Sequence, residues 1–260
     1  MQFPFQITFE NQVTAQAISL SQLSELFNAL EALGLKPSPT LVIVGGANGL
    51  SAEKLVELRS LFEQVLCPFI DSFNLTVIDG GTDAGVMQLI GQARQATGCQ
   101  FPLVGVVVQQ KAMLPSGSRL TDDVAALEPH HTHFILVPGC EWGDESVWIA
   151  ESATVLSREK LSMTLLINGG AIALHQDVPN SLIHQRPVLI IAGSGRSSDR
   201  LANALNGKTS DPELQDLVDS GLLHNVDLES GEGVLKAAIQ QVWQGYPTQN
   251  SDVFSSCNEA

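Results

Sequence analysis

Basic side chains are scarce in this sequence of 260 residues. It has 13 Lys and Arg residues against 28 Asp and Glu residues, which gives a formal net charge of −15. A surface of that sign repels the phosphate backbone of nucleic acids instead of attracting it. The composition therefore excludes broad nucleic-acid binding, and we expect no nucleic-acid partner.

Long apolar segments are also missing. The longest runs, Leu103–Val108 and Pro187–Ala192, have the length of strands, whereas a transmembrane helix needs roughly 20 residues. The first residues, Met1–Phe5, lack the basic and apolar regions of a signal peptide. We therefore expect no direct insertion into a membrane and a cytoplasmic location.

Cysteine is rare, and its four positions form no close pair. Cys67, Cys99, Cys140 and Cys257 are widely spaced, so we expect reduced thiols and no disulfide framework. The chain is long enough to bury a core without cross-links. No segment has the composition of a linker, and we predict one domain over residues 1–248, followed by a flexible polar tail, 249–260.

Short apolar runs alternate with amphipathic segments along most of the chain. Runs of continuous apolarity indicate strands that are buried on both faces, as in a parallel sheet covered by helices. The predicted strands are Leu41–Val44, Leu75–Ile78, Leu103–Val108, Phe134–Val137, Met163–Ile167 and Val188–Ile191. The predicted helices are Ser21–Leu33, Ser51–Phe69, Ala84–Ala96, Glu145–Arg158 and Gly233–Trp243, and Phe3–Ser19 predicts a flanking strand or hairpin. This order predicts an α/β fold with a doubly wound, mainly parallel sheet and helices on both faces.

Four of the predicted strands end in glycine-rich turns. Ligands of open α/β sheets bind beyond the carboxyl ends of the strands, where glycine lets the backbone approach them closely. The helix that follows each strand adds unpaired N–H groups and the positive end of its dipole, which favour an anion. Four such turns therefore predict a site for a phosphate-bearing small molecule. The predicted ligand-binding residues are Gly45, Gly46, Ala47 and Asn48; Gly80, Gly81, Thr82, Gly85, Val86 and Met87; Asn168, Gly169 and Gly170; and Gly193, Ser194, Gly195 and Arg196.

Arg196 is the clearest candidate for a phosphate contact. It follows Gly195 at a predicted helix start, where acidic residues are ordinarily favoured, so a cation there indicates an anionic ligand. The alternative is a solvent-facing arginine paired with Asp199. We also expect Thr82 to cap the helix beside this phosphate.

These turns together resemble the N-terminal region of TRPM (melastatin) cation channels. Val77–Met87 resembles the "GGTxxGVM" segment of that family, and Pro129–Val137 resembles its "HSHFILV" strand. Leu165–Gly170 is similar to the "VEGGP" turn, Gly193–Asp199 to the "GSGRxxD" turn, and Val44–Ala47 stands in the place of the "HGG" turn. The order and spacing of these motifs match over most of the chain.

The free-standing prokaryotic form of that region is the LSDAT family of the SLOG superfamily. These Rossmann-like domains resemble the LOG phosphoribohydrolases, which activate cytokinins. The resemblance implies a nucleotide-derived ligand, with ADP-ribose or an NAD-related nucleotide as the leading candidates and no required cofactor. In the channels the arginine of the "GSGR" turn helps to hold such a ligand, and that role would fall on Arg196.

The same resemblance favours binding over catalysis. LOG enzymes carry the motif PGGxGTxxE, whose glutamate belongs to the hydrolytic site, but here Ile172-Ala173 replaces the Gly-Thr pair and Gln176 replaces the glutamate. Glutamine cannot exchange a proton as a general acid or base. We therefore predict a binding or sensor domain with no catalytic residue.

Two other functions stay open. A LOG-like hydrolase of an N-glycosidic or ribosyl-phosphate bond would need Asp79, Asp83 or Asp177 in place of the missing glutamate. An interaction protein that kept the fold and lost the ligand would respond to no nucleotide. The candidate partners are a second copy of the chain, which would form a homo-oligomer, and an effector protein.

Two histidines raise the question of a metal site. His131 and His133 would share one face of a strand and would need Cys140 or Glu141 to complete a ligand set, but no recognised metal-site spacing follows. The alternative is that the imidazoles bond to neighbouring loops. We predict no metal site.

The loop Gln109–Asp123 is long enough to act as a lid over the predicted site. Its basic residues, Lys111 and Arg119, are secondary candidates for phosphate contacts. Trp142 is a candidate for stacking on a base, whereas Trp148 has helical spacing and is expected in the core.

Overall fold

The computed structural model describes residues 3–10, 12–46, 51–115, 117 and 123–245. The predicted tail and two of the predicted ligand-binding residues, Ala47 and Asn48, lie outside these ranges, as does Arg119. No helix within the described ranges combines the length and the apolar character that crossing a membrane requires.

A nine-stranded sheet forms the centre of the described chain, and a separate pair of two-residue strands flanks it. In chain order the strands are β1 (Phe5–Thr8), β2 (Thr14–Ser19), β3 (Thr40–Gly45), β4 (Thr76–Asp79), β5 (Leu103–Val108), β6 (Ala112–Met113), β7 (Ala125–Ala126), β8 (His133–Val137), β9 (Ser162–Ile167), β10 (Val188–Ala192) and β11 (Leu223–Asp227). The large sheet has the order β1-β2-β8-β5-β4-β3-β9-β10-β11, and β6 pairs with β7. All neighbours in the large sheet are parallel except β1 and β2.

Helices cover both faces of this sheet. They are α1 (Leu26–Ala32), α2 (Ala52–Ser60), α3 (Cys67–Ser72), α4 (Gly85–Thr97), α5 (Ser146–Ser157), α6 (Val178–Ile183), α7 (Arg196–Leu205), α8 (Gln215–Asp219) and α9 (Glu232–Gly245). A π-helical segment, Leu61–Leu66, joins α2 to α3, and a second one, Ala173–Asp177, leads into α6. The α/β, Rossmann-like architecture expected from the sequence is confirmed.

The sheet separates two large hydrophobic cores, and a third, smaller cluster lies where the β1–β2 hairpin packs near Phe134. Val42 and Val44 of β3 enter the core that is covered by α1, α5, α6 and α7, whereas Leu41 and Ile43 enter the core under α2, α3, α4 and α9. Successive side chains of a strand point to opposite faces, so the positions from Leu41 to Val44 of β3 must all be apolar. This burial explains why the strands appear in the sequence as continuous apolar runs.

All six predicted strands are present, and Phe3–Ser19 contains the β1–β2 hairpin. Two elements, β11 and the helical segment 173–183, are not among those predicted from the sequence. β11 lies at the edge of the sheet and buries only Leu223 and Val226, so its sequence lacks an apolar run. The segment 173–183 begins with a π-helical turn, which breaks the 3.6-residue period that reveals amphipathic helices.

Candidate functional site

The four predicted glycine turns lie side by side at one edge of the sheet. They follow β4, β3, β9 and β10, which are consecutive and parallel in space. Gly45 of β3 pairs with Ile167 of β9, and Ile167 pairs in turn with Ile191 of β10. The carboxyl ends of these strands are thus level with one another, and the topology brings the described members of the predicted set together.

The turn after β4 is held by the side chain of Asp79. Its Oδ1 atom accepts the backbone N–H of Gly81 at 2.7 Å, which caps the turn. Gly81 has a φ of +63°, and a Cβ on it would lie 2.8 Å from Cα of Gly105 on the neighbouring strand. Glycine is therefore required at position 81 by the backbone conformation and by packing, whether or not a ligand binds there.

Thr82 does not cap the following helix, so that expectation was wrong. The N-cap residue of α4 is Ala84, and no side chain caps it. The backbone of Thr82 forms an isolated antiparallel bridge with Leu127, which holds the buried threonine two residues ahead of the N-cap.

The N-terminus of α4 opens at the same edge. The first N–H groups of a helix have no partner within it, and here they belong to Gly85, Val86 and Met87. Beside them, a Cβ built on Gly80 would meet only Cγ of Met87, at 4.0 Å, among the described residues, and the φ of Gly80 lies outside the left-handed region. Neither packing nor backbone conformation in the described part of the chain demands glycine at position 80.

The turns after β9 and β10 are joined by hydrogen bonds. The buried hydroxyl of Ser194 accepts the N–H of Asn168 at 2.8 Å, and Ser197 donates its hydroxyl to the carbonyl of Gly170 at 2.9 Å. The N–H of Ser198 bonds to the carbonyl of Asn168 at 3.2 Å. Two predicted turns therefore form one connected backbone surface.

Arg196 lies where these two turns meet. It is the first residue of α7, after the N-cap Gly195, and it adopts a left-handed φ of +50°, which is uncommon for a residue with a side chain. A Cβ on Gly170 would lie 2.8 Å from Nη2 of Arg196, so the guanidinium occupies the space beside that glycine. Asp199, proposed above as an alternative partner of Arg196, accepts the backbone N–H of Gly193 at 2.6 Å.

A buried cluster of charged groups lies behind the turn after β4. Nε2 of His131 is 2.8 Å from Oδ1 of Asp79, and its Nδ1 is 2.8 Å from Oε2 of Glu128. His130 bonds to the same carboxylate of Glu128 through its ring Nδ1 and its backbone N–H, at 2.5 and 2.9 Å. The ring of His131 stacks on Phe134, with 5.4 Å between centroids.

These contacts decide the charge states in the cluster. Burial by itself lowers the pKa of His131, but the carboxylates of Asp79 and Glu128 outweigh it and raise that pKa to about 9. Burial raises the pKa of Glu128, but its bonds to His131 and His130 outweigh burial, and the pKa falls below its ordinary value. At neutral pH His131 is therefore an imidazolium that donates to both carboxylates.

A second polar cluster lies between α5 and the segment that follows β9. Ser146 donates its hydroxyl to Asp177, and burial together with the charge of Glu145 raises the pKa of Asp177 to about 7. Burial also raises the pKa of Glu145, which accepts the N–H of Gly143 at 2.9 Å. The side chain of Gln176, which replaces the LOG glutamate, lies against Gly143.

The loop candidates have partners within the protein. Lys111 forms an ion pair with Asp123, whose other oxygen accepts the indole N–H of Trp142 at 2.8 Å. Trp142 is partly exposed, whereas Trp148 is buried in the core, as the sequence predicted. Lys111 is therefore neutralised by Asp123 in this conformation.

The two histidines bond to neighbouring groups, as the alternative to a metal site proposed. Both ring nitrogens of His131 face carboxylates, and Nδ1 of His133 is 2.7 Å from the hydroxyl of Thr132. Cys140 follows the far end of β8, away from both rings. Across the described ranges, no group of three His, Cys, Asp or Glu side chains is arranged to hold a metal ion.

Glu128 is not among the candidate site residues predicted from the sequence. The signal was present, because Glu128 precedes Pro129 and two consecutive histidines, and a carboxylate so close to two imidazoles is a natural charge partner. Glu128 is linked to Asp79 through His131, which is 52 residues from Asp79, and no local pattern reveals such a contact.

Most of the chain matches a known protein family. The family described as "SLOG in TRPM, prokaryote" matches residues 38–236 of the chain. The chain belongs to this family. This SLOG domain is also 23% identical, over 201 residues, to transient receptor potential cation channel subfamily M member 2 of Rattus norvegicus. That match covers 64% of the chain but only 13% of the channel, so the SLOG domain corresponds to a small part of that protein.

Proposed function

We propose that this SLOG domain binds a phosphorylated, nucleotide-derived ligand across its glycine turns and acts as a sensor without catalytic turnover. The observation that carries the proposal is the position of Arg196. Its guanidinium lies over Gly170, at the start of α7 and at the junction of two glycine turns. A cation, a helix N-terminus and backbone without side chains are the features that recognise a phosphate group.

ADP-ribose or another NAD-derived nucleotide is the ligand class that we propose. The edge offers the N-termini of two helices, α4 and α7, and each of them favours one anionic group. A pyrophosphate supplies two such groups, joined by one bridging oxygen. The open space beside Gly80 leaves room for the ligand to approach the backbone among the described residues.

The first experiment is calorimetric titration of the protein with ADP-ribose, NAD, AMP and inorganic phosphate. We expect Arg196→Ala to weaken binding of the ADP-ribose by more than about tenfold, since a hydrogen bond to a charged group contributes about 1.5–3 kcal/mol. Arg200→Ala is the matched control, because Arg200 is one turn further along α7 and pairs with Asp211 and Glu213 on the surface.

The outcomes separate the alternatives. Equal affinity of Arg196→Ala and the wild type would remove Arg196 from the site. A wild-type protein that binds no member of the panel would reject the ligand class and favour the interaction protein. Binding that is lost in Arg196→Ala and kept in Arg200→Ala supports the proposed site.

A hydrolase is the second candidate, and Asp177 is the observation in its favour. Asp79 is fully buried and committed to Gly81 and His131, and Asp83 is exposed and accepts from Gln88. Asp177 is partly buried, and its pKa of about 7 suits a general acid or base. Release of the base from AMP or NAD that disappears in Asp177→Asn and persists in Asp83→Asn would support hydrolysis, whereas absence of turnover in the wild type would reject it.

We propose a cytoplasmic location, because the described cysteines form no disulfide bonds. Cys67, Cys99 and Cys140 are all free, which suits a reducing compartment. A sensor also needs a partner that responds to its ligand, and we assign that part to a second copy of the chain or to an effector protein.

A further inference from the structure

The charged cluster of Asp79, His131 and Glu128 is buried completely, and the ring of His131 stacks on the core residue Phe134. All three side chains are shielded from solvent, with relative exposures of 0, 1 and 0%. Burying charged groups costs free energy unless their partners are well placed. The contacts of this cluster indicate what it does in the protein.

Asp79 is fixed through one oxygen. Its Oδ1 atom receives both the N–H of Gly81 and Nε2 of His131, at 2.7 and 2.8 Å. Its Oδ2 atom is buried and receives no hydrogen bond from the described residues. His131 therefore holds the carboxylate that caps the turn after β4, while the backbone N–H of Glu128 bonds to the carbonyl of Gly81 in the same turn at 3.0 Å.

Glu128 fixes the other side of the imidazole. Its carboxylate lies against α4, where a Cβ on Gly91 would lie 2.5 Å from Oε1. The N-terminus of that helix faces the glycine edge. The cluster thus connects the turn Gly80–Thr82 to the helix that follows it, through the side chains of Asp79, His131 and Glu128 and through the backbone bond from Glu128 to Gly81.

We propose that His131 is a positioning residue for the turn Gly80–Thr82, and that its ring, held between the carboxylates of Asp79 and Glu128, also balances their charge behind a site for anions. The second part rests on the proposed function. A neutral ring would donate one hydrogen bond instead of two and would leave two carboxylates uncompensated near the ligand's phosphates. The charged or titratable groups that surround His131 are Asp79 on β4 and Glu128 and His130 before β8. Arg94 on α4 lies behind them, where it interacts with Glu128 and donates to the carbonyl of His130 at 3.5 Å.

The test begins with the wild-type protein and needs no substitution. The ring of His131 and the amide of Gly81 are followed by NMR from pH 7 to 10, and affinity for ADP-ribose is measured over the same range. We expect the ring to titrate near pH 9, the Gly81 amide to shift with the same midpoint, and the affinity to fall by about tenfold across it. A Gly81 amide that does not respond when the ring titrates would overturn the positioning role.

Substitutions then separate positioning from general stability. We expect His131→Gln to weaken ADP-ribose binding at least tenfold at pH 7.5, in a folded protein well below its Tm, and to leave an affinity that no longer changes with pH. Asp79→Asn removes one of the two charges that hold the proton, so the step should move to lower pH. His133→Gln is the matched control and should keep the wild-type profile, because His133 bonds to Thr132 outside the cluster.

These experiments distinguish a wrong ligand assignment from a wrong role for His131. If the wild type binds none of the nucleotides but the Gly81 amide follows the His131 titration, the ligand assignment is wrong and the positioning role stands. If the wild type binds ADP-ribose and His131→Gln binds it equally well at every pH, the role of His131 in the site is wrong and the proposed function stands.

Discussion

The carboxylate of Glu128 occupies the space that a side chain at Gly91 would need. A Cβ on Gly91 would lie 2.5 Å from Oε1 of Glu128 and nearer still to Oε2, although the two residues are 37 positions apart in the chain. Gly91 is in the middle of α4, where glycine is ordinarily a poor choice. The buried charge of Glu128 thus explains a residue that helix propensity does not.

We expect Gly91→Ala to destabilise the protein, against the ordinary effect of that substitution. Alanine in a helix is favoured over glycine by about 1 kcal/mol. Here the added methyl group must displace a buried carboxylate from two imidazoles, and we expect a net loss of about 1–3 kcal/mol in the free energy of unfolding. Urea denaturation measures it.

The control for this substitution is Gly233→Ala in α9. A Cβ there would meet no described atom within 4 Å, so the helix propensity acts alone and the protein should be unchanged or slightly more stable. Equal stabilisation of both variants would contradict the close contact between Gly91 and Glu128.

Gly80→Ala should affect ligand binding without affecting folding. The new methyl group meets only Met87 at 4.0 Å among the described residues, and the backbone needs no positive φ there. We expect a free energy of unfolding within about 0.5 kcal/mol of the wild type, as for most substitutions that disturb no packing. Binding of ADP-ribose should weaken by at least about tenfold if the ligand approaches this backbone, since a methyl group then occupies its place. Unchanged affinity would exclude close approach at position 80.

The stability of the protein should fall in alkaline solution because of His131. Its pKa in the folded protein, about 9, lies above the ordinary value of 6.5. The stabilisation by its charged form is therefore fully present below about pH 6.5 and is lost as the pH rises through 9. The difference corresponds to about 3 kcal/mol.

Urea unfolding of the wild type and of His131→Gln at pH 6.5, 8 and 9.5 measures this dependence. The two stability curves should converge as the pH rises, since the wild type alone loses a proton from this site. Curves that stay parallel over the whole range would show that His131 does not carry the charge in the folded state.

Asp177 should make the protein less stable as the pH rises, whereas an ion-paired carboxylate makes a protein more stable as the pH rises through its pKa. Burial and Glu145 raise its pKa to about 7, above the ordinary 3.8, so the folded protein holds a proton that the unfolded chain releases. Stability therefore falls as the pH rises from about 4 through 7. Asp177→Asn keeps an acceptor for Ser146 without the charge, and we expect it to be more stable than the wild type at pH 8 by more than about 1 kcal/mol. Thermal unfolding at pH 5 and 8 measures the effect, and an equal gain at both values would contradict the raised pKa.

Local sequence patterns predicted much of this fold. The continuous apolar runs located the six central strands because each of them is buried on both faces. The edge strand β11 was missed, since it buries only Leu223 and Val226 and its sequence, Leu-His-Asn-Val-Asp, has no apolar run. The helical segment 173–183 was missed because a π-helical turn interrupts its period.

Some glycines of the four turns are required by packing inside the protein and not by a ligand. A Cβ on Gly45 would lie 2.6 Å from the carbonyl of Ile167, and one on Gly81 would lie 2.8 Å from Gly105, so packing demands glycine at both positions. Gly170 makes room for Arg196, and Gly80 has no such demand among the described residues. The sequence cannot separate these cases, because glycine looks the same whether a strand, a guanidinium or a ligand lies beside it.

The sequence by itself determined the α/β class, the central strands and the edge at which four glycine turns meet, since apolar period and glycine position are local properties. Only the tertiary structure decided the partners of the charged groups. Asp79 and His131 are 52 residues apart, and they meet because β4 and the approach to β8 converge beside β5. A buried charge is stable only beside its partner, and that partner is supplied by the packing of the whole sheet and not by the neighbouring residues of the chain.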